Sequence, residues 1–134
     1  MRRGAVLAAF ALAAVASPAV ASVAQASIEG IWGVADGEAV NCKGLVMVLR
    51  GGAYQKAMLD LGTTKGLRDS VLGTSRYTVT GERIEIAPSL SFSRPEPRQI
   101  LLWDPVSDTL RRAEPPPPLL FRRCPDRPLT LMER

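Results

Sequence analysis

The chain has no histidine in its 134 residues. That removes the usual general base, and with it the Ser-His-Asp and Cys-His nucleophilic arrangements. Cysteine is nearly absent, with only Cys42 and Cys124, and two thiolates alone do not make a structural zinc site. Gly51-Gly52 is followed by neither GxxxxGKS/T nor GxGxxG spacing, so no phosphate-binding loop is present. The carboxylates near turns, Asp104 with Asp108 and Glu82 with Glu85, suit solvated turn positions better than a catalytic pair. No catalytic residue, metal ligand or cofactor site is therefore expected. Glycine is absent after Gly81, and proline is absent between Pro18 and Pro88. This contrast suggests tight hairpins in the first half and stiffened connections in the second, within one domain.

What the chain does have begins with a leader. Arg2 and Arg3 precede an apolar run, Ala5–Ala16, and small residues follow at two candidate cleavage sites, Ala19-Val20-Ala21 and Ala24-Gln25-Ala26. This is the pattern of a secretory signal peptide. The run is shorter than the ~20 residues of a membrane span, and no later run could cross a bilayer. Residues 1–26 are assigned to the leader and 27–134 to a single β-rich domain that is periplasmic or secreted, does not span the membrane after cleavage, and is expected to be a monomer. Without Arg2 and Arg3 the charge falls to fifteen Lys and Arg against thirteen Asp and Glu. That is too even for a nucleic-acid-binding field. An even cysteine count in an oxidising compartment points to a Cys42–Cys124 disulfide. Two free thiols or an intermolecular bridge are the alternatives.

The clearest element is Arg76–Ala87, RYTVTGERIEIA. Apolar and polar residues alternate on both sides of Gly81, the pattern of a β-hairpin with one buried face. A two-residue Gly81-Glu82 loop in a type II′ turn sets Val79 opposite Ile84 and Tyr77 opposite Ile86. Ser27–Val34, Leu45–Leu49, Gln99–Asp104, Thr109–Ala113 and Leu119–Cys124 read as further strands, and Leu129–Met132 as an edge strand. Ala53–Leu61 fits either a short helix, by its Tyr54, Ala57, Met58, Leu61 spacing, or a strand; the all-β context favours the strand. Gly62–Gly73 reads as an exposed loop. Ser89–Arg98 carries Pro95 and Pro97 and cannot be a central strand throughout. Pro115–Pro118 reads as a stiff, polyproline-like connector. The fold class is mostly β: one small antiparallel up-and-down barrel or sandwich, with or without one short helix.

Three features are candidates for function. Arg111, Arg112, Arg122, Arg123 and Arg127 surround the proline run and form a possible basic patch. Such a patch suits an acidic protein or an anionic envelope component, and a solvated face is the plainer alternative. The proline run is a candidate ligand for an aromatic groove. The aromatics Trp32, Tyr54, Tyr77, Phe92, Trp103 and Phe121 either pack a core or line a cavity of roughly 300 Å³ or more, as a carrier needs.

Gly30-Ile31-Trp32 at the first strand, the meander of hairpins, and Arg122 or Arg123 in a late strand resemble the lipocalin-like (calycin) barrels. In those, a G-x-W opens the barrel and a late Arg packs across the Trp. The size and leader are also similar to the small periplasmic inhibitors of bacterial serralysin-type metalloproteases. That resemblance implies that a mature N-terminus near Ser22–Glu29 enters a protease cleft. The expected function is an exported, non-enzymatic binding or interaction module of the cell envelope; the alternative is a periplasmic inhibitor of a secreted protease.

Overall fold

The computed structural model describes residues 28–91 and 94–131. Residues 1–27 fall outside it, so the leader, both cleavage sites and most of the proposed inhibitory arm lie outside the described residues, as does Phe92.

Eleven strands form: β1 Gly30–Asp36, β2 Ala39–Val40, β3 Gly44–Arg50, β4 Ala53–Thr63, β5 Gly66–Thr80, β6 Arg83–Ile86, β7 Ser89–Ser91, β8 Arg94–Glu96, β9 Gln99–Asp104, β10 Thr109–Glu114 and β11 Leu120–Arg123. Eight of them make the barrel wall in the order β4-β3-β1-β11-β10-β9-β6-β5, and β5 pairs back to β4 to close it. Each wall strand is antiparallel to the next in sequence, so the barrel is an up-and-down meander sealed where β1 meets β11. No helix forms among the described residues. The β-branched and apolar alternation explains this, because period two gives each strand one inward and one outward face.

The central hairpin has the expected register, Val79 with Ile84 and Tyr77 with Ile86. Gly81 has φ +60° and Glu82 has no positive φ, as a type II′ turn requires. Three sequence readings are corrected. Gly62–Gly73 is not a loop. It falls in a long β4–β5 hairpin that turns only between Thr63 and Gly66. The polar residues that suggest exposure stand on strands whose register shifts between Met58 and Leu61, and Asp60 sits there at φ +58°. Leu129–Met132 does not make an edge strand within the described residues. Its strand-like pairing with the sheet, among the described residues, is a parallel bridge, Asp69 with Leu131. Pro115–Pro118 is not a rod: it turns the β10–β11 hairpin, and the Arg112 N–H donates to the Leu119 carbonyl at 2.8 Å.

Two apolar clusters result. One fills the barrel, with Trp32, Leu49, Tyr77, Ile84, Leu101 and Leu110 among its members. The other lies outside the wall, where Ile31, Val46, Val48, Ala57 and Leu59 are covered by Cys42, Cys124 and Leu129. The C-terminal segment after β11 therefore acts as a strap across β1, β3 and β4. It is tied at its start by the Cys42–Cys124 disulfide (Cα–Cα 5.7 Å). At its far end, the Arg127 guanidinium donates to both carboxylate oxygens of Asp69 at 2.7 and 3.0 Å. Asp69 is 1% exposed and also accepts from the backbone N–H groups of Thr130 and Asp60. Gly33 admits the segment before the disulfide: a Cβ there would stand 2.0 Å from the Asn41 carbonyl oxygen.

Three outcomes follow from this packing. Replacing Cys42 and Cys124 together by Ser should lower the unfolding free energy by about 4 kcal/mol in urea titrations, since the bond closes 82 positions. Gly33→Ala should abolish or severely weaken folding, whereas Gly62→Ala, with nothing within 4 Å of the added Cβ, should leave the melting temperature nearly unchanged. The Arg127 hydrogen bonds hold the Asp69 carboxyl well below the usual carboxylate range. Its contribution is therefore complete above about pH 4, the unfolded value, and is lost as the pH falls further toward the folded value. Asp69→Asn should cost about 3 kcal/mol at neutral pH and flatten the acid limb of a stability-against-pH curve.

Candidate functional site

The two ends of the barrel differ. At the end where β1 begins, the interior is plugged. Trp32 is fully buried and its Nε1 donates to the Ile28 carbonyl at 2.9 Å. The Arg123 guanidinium lies over the Trp32 ring, 4.3 Å from its centroid, a cation–π contact. Arg123 then donates from Nε and Nη2 to the two Asp108 oxygens at 2.8 and 2.9 Å, and from Nη1 to the Glu29 carbonyl at 2.6 Å. Trp103 Nε1 donates to the same Asp108 at 3.3 Å. These bonds, Arg123 first, draw the Asp108 carboxyl below its ordinary range. Gly30 makes the geometry possible: its φ is +141°, and a Cβ would lie 3.1 Å from Arg123 Nη1. The late arginine across the tryptophan is thus Arg123. Arg122 points outward, where its Nε donates to the Gly37 carbonyl at 3.1 Å.

At the opposite end the barrel is open. Here a cavity of about 420 Å³ enters the interior. Its apolar wall includes Val34, Leu45, Met47, Leu119 and Phe121. Its polar groups are Tyr54 and Lys56 from β4, Gln99 from β9, Arg112 from β10, and Glu96 from the β7–β8 hairpin, which stands at the rim. Period two brings these inward. Arg112 follows buried Leu110 by two, and Gln99 precedes buried Leu101 by two. Glu96 is ion-paired with Lys56 at 2.6 Å, which ties the hairpin to the wall. Burial pushes the Tyr54 phenol above its usual range, opposed by a hydrogen bond with Gln99. Arg112 Nη2 donates to the Pro117 carbonyl at 2.8 Å, while its Nε is buried with no acceptor.

The five arginines read as a possible patch divide between sites, and only Arg111 and Arg122 share the outer face of the paired strands β10 and β11. Arg127 holds the strap, Arg123 the plug and Arg122 a turn, and Arg112 lines the cavity. Arg111 is exposed on the outer wall, beside Leu102 and Leu120 in a shallow depression. The alternation that puts Arg111 out and Arg112 in was legible in the sequence; clustering by position concealed it. Of the aromatics, Trp32, Tyr54, Tyr77 and Phe121 belong to the core and Trp103 packs against it, while Tyr54 and Phe121 also face the cavity. Among the described residues, no group of three His, Cys, Asp or Glu side chains could hold a metal ion. Ile28, at the end of the proposed N-terminal arm, is wholly buried against the plug.

No protein-family model matches the chain, no curated protein matches it, and no solved structure matches it.

Arg123→Leu should remove the plug's ion pair and the ring contact together. The expected loss is about 2 kcal/mol in denaturant titrations, with a change in tryptophan emission. Arg122→Leu, on the outer face, should change stability by less than about 1 kcal/mol.

Proposed function

We propose that this chain is an exported, non-enzymatic binding protein that takes one small, largely apolar molecule into the open end of its barrel, in the periplasm or outside the cell. The observation that carries this reading is the cavity of about 420 Å³, open at one end of a barrel whose other end is plugged. A small barrel is normally filled by its own side chains. This one is filled over its lower half by Trp32, Ile84, Leu101 and Leu110, and its upper half leaves space in the range of small-molecule sites. A mainly apolar wall with a few polar groups is the usual chemistry of such sites. The Cys42–Cys124 disulfide is compatible with export. The cavity favours this reading over a protease inhibitor, since the described part of the N-terminal arm is packed into the barrel's plug instead of standing free.

The test is titration with the neutral fluorescent probe N-phenyl-1-naphthylamine. The wild-type protein should enhance its emission saturably with one site per chain. Met47→Trp, which places a larger ring in the cavity, should weaken that binding at least tenfold while keeping a cooperative melt. No saturable enhancement, or equal enhancement by both proteins, would remove the reading.

A further inference from the structure

The charges inside the cavity do not balance. Of the described residues that line it, Lys56 and Arg112 are cationic and Glu96 is anionic. Glu96 is already engaged by Lys56 at 2.6 Å, with both side chains mostly buried. Among the described residues Arg112 has no such partner. There its side chain donates to a neutral carbonyl, that of Pro117, and its Nε is buried without an acceptor.

A guanidinium that lines a mainly apolar wall, with no carboxylate paired to it among the described residues, keeps donors free for an anion. A fold that needed only packing at this position would be served by an apolar residue on the same face as Leu110. The hydrogen-bonded Tyr54 and Gln99 stand near Arg112, on facing walls of the barrel. They extend the polar part of the surface, and the remaining wall, from Val34 and Leu45 to Met47 and Phe121, offers only apolar contact.

We propose that the cavity selects a monoanionic amphiphile, whose carboxylate is bound by Arg112 and whose apolar body lies along β1, β3 and β11. This rests on the binding-protein reading above and adds the ligand's charge to it. A guanidinium presents flat, paired N–H donors that match a carboxylate. One negative charge neutralises the single excess positive charge of the lining. A cationic amphiphile would instead add to that excess, and a neutral one would leave it uncompensated.

The experiment displaces N-phenyl-1-naphthylamine from the full-length mature protein with decanoate, 1-decanol and decylamine, which share one apolar chain and differ in head-group charge. Decanoate should compete at least tenfold better than decanol, and decylamine should compete worst. Arg112→Gln should weaken decanoate about tenfold, the worth of one charged hydrogen bond, and reduce the preference for decanoate over decanol by a similar factor. Because Arg112→Gln could perturb the β10–β11 turn, Glu96→Gln supplies an opposite test. It releases Lys56 from its partner, raises the positive charge of the lining, and should tighten decanoate severalfold. Equal competition by decanoate and decanol, with neither variant changing their ratio, would overturn the anion selectivity and leave the cavity reading standing. Probe binding that none of the three displaces would overturn both.

Discussion

The pairing of β1 with β11 is the contact on which the rest of this structure depends. It seals the sheet into a barrel, and its register places Trp32 opposite Arg123. That one alignment brings the guanidinium onto the indole and within reach of Asp108. It also carries Cys124 alongside Ile31, whose carbonyl accepts the Cys124 N–H at 2.7 Å. Cys42 reaches the same place because Gly33 lets the Asn41 backbone lie directly on β1. Plug, seam and staple are consequences of one strand pairing. A shift of one residue along it would turn Trp32 outward and separate the sulfurs.

Much of the wall was legible in the sequence because alternation is a local signal. Tyr77, Val79, Ile84 and Ile86 specified both the hairpin and its register. Cysteine parity specified the staple, and Gly30-Ile31-Trp32 pointed to a barrel. The long β4–β5 hairpin was less legible. Its polar outer positions resemble a loop, and its pairing is interrupted near Asp60 by a shift in register that only the partner strand reveals. The strap was hidden for a different reason. Its hold on the wall comes from Arg127 meeting Asp69, 58 positions apart, and neither residue is distinctive alone. The cavity was hidden most deeply, since it is a volume left over when eight strands close, and no single residue encodes it.

The barrel thus divides its interior by chemistry. In the plugged half Arg123 is paired with Asp108, so the arginine there closes the barrel. In the open half Arg112, on the neighbouring strand β10, lines the cavity with a backbone carbonyl as its side-chain partner. The same residue type does opposite work because one end of the cylinder supplies Asp108 and the other supplies only a backbone carbonyl. This asymmetry separates two arginines that sequence position could not.

The seam between the first and last wall strands also governs how the chain can be made. No partial barrel ending before Leu120 contains the plug, the disulfide or a closed sheet, because each needs β11 or the residue after it. Contacts this distant form late and slowly. A growing polypeptide can form its local hairpins, such as β4–β5, but lacks plug, staple and closed wall until β11 and Cys124 are present. Closure is thus a late event that one strand brings about.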